Sequence, residues 1–164
     1  MREALAVADT PTALRFPRGA VGTDIPALRR SGGVDVLCES GDGVLVVAVG
    51  VMARTAVEAA RLCAAQGVPV TVVDPRWVKP LPPGLLPLAA RHHAVVTVED
   101  GLRTGGVGTA VTQALADAGT LTPVRVLGVS EGFPAQGSRD EVLAESGLTA
   151  HAVAAAVMSI AGTS

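Results

Sequence analysis

The sequence predicts a three-layer α/β domain built on a five-stranded sheet, mixed but mostly parallel, with helices on its two faces. Strand-like and helix-like stretches alternate from residue 34 onward, the order that βαβ units with right-handed crossovers require. The run Val44-Leu45-Val46-Val47-Ala48-Val49 has no polar alternation, so it belongs to a strand covered on both faces. Of the 164 residues 49% are apolar, drawn from Ala, Val and Leu with two Phe, one Trp and no Tyr, and such small branched side chains suit helix-on-sheet packing.

Residues 2–8 read as the end of a helix stopped by Asp9-Thr10-Pro11, and residues 13–16 as a short strand before Pro17. That strand has no nearby partner for its backbone groups. Residues 22–26 and Ser31-Gly32-Gly33 read as linker, which starts the compact domain near Val34. The β-rich runs 34–39 and 44–49 flank Ser40-Gly41-Asp42-Gly43, whose Asp-Gly step reads as the turn of an antiparallel hairpin at one edge of the sheet. A helix follows over 52–66, with Gly67 as its C′ residue. Next come a strand at 68–73, a Pro-broken stretch, a helix at 85–91, and a strand at 95–98 ending in Glu99-Asp100. The glycine-rich loop 101–108 leads to a helix at 109–118 closed by Gly119, and then to a strand at 124–129. Two helices end the chain, at 139–145 and 149–161, with Ser138 and Thr149 as N-caps and Glu141 completing a capping box with Ser138.

The formal charge of −2 gives no electrostatic footprint for nucleic acid. No window reaches the roughly 18 continuous apolar residues of a membrane span, and the first residues lack a signal-peptide core, so a soluble, cytoplasmic protein is expected. Cys38 and Cys63 read as two buried thiols rather than a disulfide, and neither has metal-site spacing.

The stretch Leu14-Arg15-Phe16-Pro17-Arg18-Gly19 sets fixed positive charge on a backbone locked by Pro17 and opened by Gly19. A guanidinium keeps its proton and presents a planar fork of donors to phosphate or carboxylate, which makes Arg18, and secondarily Arg15, candidate anion binders; a solvated pair of arginines on a loop is the alternative. Gly105-Gly106-Val107-Gly108 stands between a strand and a helix, where a phosphate cradle and close helix-to-sheet packing are both open. Val111 stands where the last glycine of Gly-x-Gly-x-x-Gly belongs, which favours packing. Gly41-Asp42-Gly43 begins like a Mg²⁺–diphosphate motif, but the chain contains no asparagine to complete it, and a turn explains the aspartate. His92 and His93 are adjacent and cannot both face one site in a regular element, and His151 lies on another helix. Glu99 and Asp100 end a strand on the side where α/β sheets bind ligands, where a helix-dipole or turn role competes with a functional one. No catalytic residue and no metal site is assigned.

Three motifs in order, Leu14-Arg15-Phe16-Pro17-Arg18-Gly19, Val72-Val73-Asp74-Pro75-Arg76-Trp77-Val78-Lys79-Pro80-Leu81, and Val95 through Asp100 with Gly105-Gly106-Val107-Gly108, resemble the C-terminal transketolase-like domain of 1-deoxy-D-xylulose-5-phosphate synthases. The resemblance continues through Gln136-Gly137 and Ser146-Gly147-Leu148. It implies a thiamine diphosphate- and Mg²⁺-dependent transferase that joins a two-carbon unit from pyruvate to D-glyceraldehyde 3-phosphate, serving isoprenoid biosynthesis. It implies that Arg18 contacts the substrate phosphate, with Phe16 in place of the motif's usual tyrosine. It also implies that the cofactor is held by two domains outside this chain, supplied by a longer polypeptide or a partner chain in a homo- or hetero-oligomer such as a dimer. On this reading residues 1–30 are a remnant of the preceding pyrimidine-binding domain plus linker, mobile or borrowed by a neighbour, and residues 31–164 are the transketolase C-terminal-like domain. The 164-residue chain is then not expected to be active alone. Another transketolase-like enzyme, either transketolase or a 2-oxoacid dehydrogenase β subunit, and a non-catalytic anion-binding module are the alternatives.

Overall fold

The computed structural model describes residues 2–17, 22–132 and 136–162. Its elements are α1 (Arg2–Leu5), β1 (Arg29–Ser31), β2 (Val34–Cys38), β3 (Val44–Ala48), a 3-10 turn Gly50–Met52 running into α2 (Ala53–Ala64), β4 (Val70–Asp74), α3 (Leu85–Ala90), β5 (Ala94–Leu102), α4 (Val107–Asp117), β6 (Val124–Val129), α5 (Arg139–Glu145) and α6 (Ala150–Ala161). The strands form one sheet in the order β1-β2-β4-β3-β5-β6. The β3–β4, β3–β5 and β5–β6 pairs are parallel, whereas β1–β2 and β2–β4 are antiparallel.

Every residue of β3 is buried, as its unbroken apolar run requires. Val44, Val46 and Ala48 meet α2 and α6 on one face, alongside Val70, Val72, Val96 and Val98. Leu45 and Val47 meet α3 and α4 on the other, alongside Val34, Val36, Val73 and Val95. The period-two alternation of side chains divides the strands between the two cores.

The sheet has six strands, not five, and the sixth comes from the stretch read as linker. Gly32 and Gly33 take φ values of 54° and 86°, the conformation of a two-residue hairpin turn, and fold Arg29–Ser31 back on β2. The strand Arg29-Arg30-Ser31 is exposed throughout, so it carries no hydrophobic pattern by which to recognise it. Residues 13–16, expected as a strand, have no regular secondary structure.

The hairpin expected between β2 and β3 does not form, because β4 lies between them. The crossover through α2 delivers β4 to the flank of β3 that the hairpin partner would have used. The Ser40–Gly43 turn is bonded to β4 instead of closing on itself. Ser40 Oγ donates to Val70 O at 2.9 Å and accepts from Val70 N–H at 2.8 Å, and Thr71 Oγ1 donates to Gly41 O at 3.0 Å.

The helix boundaries follow local chemistry. Gly67 and Gly119 adopt φ values of 75° and 69° just past α2 and α4, as helix-ending glycines do. Ser138 and Glu141 form the expected capping box on α5, and Thr149 Oγ1 accepts from Ala152 N–H at 3.2 Å to cap α6. The segment Arg139–Ala161 has the length and hydropathy of a membrane span. It is two helices broken at Gly147 (φ 70°), however, and the second packs Val153, Ala154 and Val157 into the core.

The glycines at the start of α4 are packing residues. A Cβ on Gly108 would stand 2.3 Å from Thr97 Oγ1 and 2.5 Å from Val126 Cγ1, and one on Gly106 would stand 2.3 Å from Leu102 O. Gly108→Ala is therefore expected to cost about 1–3 kcal/mol in denaturant unfolding through forced displacement of β5 and β6. Gly162→Ala, whose added methyl meets only ordinary contacts starting at 3.6 Å, is expected to stay within about 0.5 kcal/mol of the parent.

Candidate functional site at the carboxyl edge of the sheet

The chain leaves β3 toward β4 on one side, while β5 lies on the other, so the crevice beside the carboxyl end of β3 is the topological switch point of the sheet. Residues at or near the carboxyl ends of β3, β4 and β5 gather there: Gly50, just past β3, Asp74, which ends β4, and the pair Glu99-Asp100 within β5, a strand that runs on to Leu102 rather than stopping at residue 98.

Glu99 and Asp100 are successive strand residues and serve different faces. Glu99 is buried, and its Oε1 accepts from Gly108 N–H at 2.8 Å, placing its carboxylate on the first turn of α4. The helix-dipole role is the one the structure gives it. Its carboxylate lies where a phosphate cradle would need space, so Gly105–Gly108 wraps a side chain of its own chain.

Asp100 faces outward and holds two arginines from distant parts of the sequence. Arg139, at the start of α5, approaches with Nη2 at 3.0 Å from Oδ2. Arg15 approaches with Nη1 at 3.4 Å from Oδ1, and its Nη2 donates to Asp100 O at 3.4 Å. The Arg15 side chain remains 75% exposed, although both of its Nη groups reach Asp100. This contact sets the Leu14–Pro17 segment against the end of β5. Arg18, the principal candidate anion binder, lies outside the described residues.

A second ionic cluster lies where α1 meets the β1–β2–β4 side of the sheet. Asp35 accepts from Arg30 Nε at 2.6 Å and from Arg76 Nη1 at 3.0 Å, and Glu3 accepts from Arg30 Nη1 at 3.0 Å and from Arg76 Nη2. With Ala4 buried, these pairs tie α1 to its own chain. Arg76 adopts a φ of 61°, held by its N–H donating to Asp74 Oδ1 at 2.8 Å. Neither Arg76 nor Arg139 was singled out from sequence, because only the fold brings them to carboxylates far along the chain. Of the other arginines, Arg29 pairs with Glu39 at 2.6 Å.

The histidines stand apart from this edge. Buried His92 directs Nδ1 to Leu88 O at 2.8 Å, with Nε2 at 3.9 Å from Asp42 Oδ1 across the amino end of the sheet. His151 is exposed on α6. Asp42, 64% exposed in its turn, does not fit a Mg²⁺–diphosphate site. Among the described residues no three His, Cys, Asp or Glu side chains gather in metal-binding geometry. Cys63 is buried and Cys38 half-buried, both are free, and burial pushes both thiols up, away from the reactive thiolate.

Burial acts to raise the Asp35 carboxyl, but hydrogen bonds from Arg30 and Arg76 outweigh it and leave it below its ordinary range. Glu3 is lowered by its hydrogen bonds to Arg30 and Arg76. Burial raises Asp74, partly offset by the Arg76 N–H. A carboxyl lowered in the folded state adds stability above its unfolded pKa, about 4, and loses it as pH falls through the folded value. Arg76→Ala is accordingly expected to destabilise the chain by about 1 kcal/mol at neutral pH, with the difference from the parent shrinking below about pH 4. Denaturant unfolding followed by the emission of Trp77, the neighbouring and sole tryptophan, measures it; a difference unchanged down to about pH 2 would contradict it.

The family described as Transketolase, C-terminal domain matches residues 32–153. A 1-deoxy-D-xylulose-5-phosphate synthase 1 of Kitasatospora griseola and a 1-deoxy-D-xylulose-5-phosphate synthase 2 of Streptomyces coelicolor are each 54% identical to this chain over 157 residues. Both matches cover 94% of this chain and 24% of the relative, so the chain spans about a quarter of the length of the curated relatives it matches. Among solved structures, a split gene transketolase described as an inactive beta4 tetramer aligns with a TM-score of 0.75 and 34% identity, over 85% of this chain and 46% of that one. A transketolase of Campylobacter jejuni aligns with a TM-score of 0.58 at 18% identity, over 82% of this chain and 20% of that one, a likeness of fold. The family match spans β2 to β6 and reaches into α6, and with it the chain belongs to the transketolase C-terminal domain family.

Proposed function

We propose that this chain is the C-terminal part, or a separate subunit, of a thiamine diphosphate-dependent 1-deoxy-D-xylulose-5-phosphate synthase, a transketolase-like transferase that combines pyruvate with D-glyceraldehyde 3-phosphate and releases CO2. The observation that carries the reading is identity above 50% to synthases along 94% of the chain, including the segment before the family domain. The Arg15–Asp100 contact adds physical support, because it fastens the Leu14–Pro17 segment to the carboxyl edge where open α/β sheets receive ligands.

In this role Arg18 binds the phosphate of glyceraldehyde 3-phosphate through its guanidinium, and Arg15, already engaged by Asp100, contributes positive potential beside it. Phe16 supplies an aromatic body without a hydroxyl. Thiamine diphosphate and its Mg²⁺ would be held by domains outside this chain, and the cofactor would supply the chemistry of two-carbon transfer there. This chain's own part is to bind the substrate phosphate and to join subunits. The protein acts in the cytoplasm, consistent with two free cysteines, and as an oligomer with the cofactor-binding domains.

The split gene transketolase, whose chain also assembles with itself in an inactive form, favours a second reading in which this chain forms a stand-alone oligomer without activity. Co-purification with a larger thiamine diphosphate-binding chain supports the synthase role, and a stable oligomer that ignores such a chain supports the other.

The test is reconstitution. Mixed with a chain carrying the two cofactor-binding domains, the protein is expected to yield 1-deoxy-D-xylulose 5-phosphate from pyruvate and glyceraldehyde 3-phosphate, and alone to yield none. In the mixture Arg18→Ala is expected to raise KM for glyceraldehyde 3-phosphate by about tenfold or more, the loss of one charge-assisted phosphate contact. Arg15→Ala is expected to have a smaller effect. An unchanged KM in Arg18→Ala removes that residue from the phosphate site.

A further inference from the structure

The two edges of the sheet are built differently. At one edge β1 is three residues long, exposed and charged, with Arg29 and Arg30 engaged by Glu39 and Asp35. Short, charged edges resist pairing with other chains. At the other edge β6 is six residues long and apolar apart from Arg125, and among the described residues only β5 pairs with it. Pro123 O and Val129 O accept hydrogen bonds from Val95 N–H and Arg103 N–H of the β5 side. By the alternation of a parallel strand, the backbone N–H and C=O groups of Val124 and Val126 face away from β5, toward open space.

A groove of about 400 Å³ runs along this open edge. Thr112 of α4 and Ser159 of α6 stand in its walls, so the helices of both layers frame the strand without covering its edge. Val124, Val126, Ile160, Arg125 and Arg103 line it as well, and no carboxylate of the described residues does. The guanidinium groups of Arg103 and Arg125 have no ion pair or hydrogen bond among the described residues. By contrast Arg15, Arg29, Arg30, Arg76 and Arg139 all engage carboxylates. Among the described residues, two unpaired cations therefore flank an unpaired strand edge in a chain of net charge −2.

From this arrangement we propose that the open edge of β6 docks an extended, acidic segment of another protein as an added strand. The backbone groups of Val124 and Val126 would continue the sheet, and Arg103 and Arg125 would engage carboxylates that alternate along the incoming strand. A second copy of this chain is the poorer occupant. Two-fold pairing of β6 with itself would gather four guanidinium groups, and no carboxylate of the described groove walls, into one interface.

The test uses the full chain and a fluorescent eight-residue peptide alternating glutamate and valine, followed by anisotropy at low and moderate salt. The peptide is expected to bind, and the double substitution Arg103→Glu and Arg125→Glu, shown folded by its circular dichroism, is expected to weaken binding at least about tenfold. The same peptide N-methylated at alternate residues, which removes the strand-pairing donors and leaves the carboxylates, is expected to lose binding to the unaltered chain. Equal binding of a lysine–valine peptide would overturn the proposal. So would indifference to charge reversal or to N-methylation, or an absence of binding. Sedimentation showing that β6 edges pair two copies of the chain and exclude the peptide would overturn it in favour of self-association.

Discussion

The double-sided burial of β3 governs the molecule. A strand with all five residues buried needs a helical layer on each face and a hydrogen-bonded strand at each edge, since water reaches none of its backbone groups. The chain meets both needs by sending α2 to one face before β4, and α3 to the other before β5. The same solution opens the crevice at the carboxyl end of β3, because crossovers on opposite sides leave their loops diverging there. Core and candidate site are thus two consequences of one apolar run.

At that crevice the pleat of β5 divides the labour of adjacent carboxylates. Glu99 points inward, where the amide of Gly108 and the positive end of α4 satisfy it, and Gly101 and Gly106 leave it room. Asp100 points outward and gathers Arg15 and Arg139. The inward carboxylate fixes the helix that packs on β5 and β6. The outward one fastens an N-terminal segment to the edge at which the proposed phosphate contact lies. A one-residue register slip would exchange these environments, leaving a buried carboxylate without its cap and an arginine pair without its anchor.

Arginine pairing also distinguishes the surfaces. The carboxyl edge and the β1 side are laced with ion pairs that join segments distant in sequence, and the Glu3–Arg30–Asp35–Arg76 cluster holds α1 to β2 and to the loop after β4. Among the described residues, the β6 edge has unpaired arginines and open backbone. The first surface is stabilised within the chain, and the second is the one proposed to take a partner strand.

Local chemistry, readable in the amino-acid sequence, determined the α/β class, five of the strands, the capping box of Ser138 and Glu141, and the helix-ending role of Gly67 and Gly119. Each of these depends on period, propensity or a residue's allowed φ within a few positions. The Ser138 cap needs only Glu141 three residues later, and β3 needs only its own apolar run. Tertiary structure decided what depends on distant partners. An Asp-Gly turn between two β-rich runs is locally a hairpin, yet β4, arriving from about thirty residues away through α2, offers Val70 and Thr71 to the turn's polar groups and separates the strands. β1 has no apolar face to announce it and exists because Gly32 and Gly33 turn it onto β2. Arg15 could be read as a cation suited to an anion, but its meeting with Asp100, 85 residues on, is set by the sheet. Sequence spacing describes neighbours along a helix or strand, whereas the site is assembled from ends of strands that only the strand order brings together.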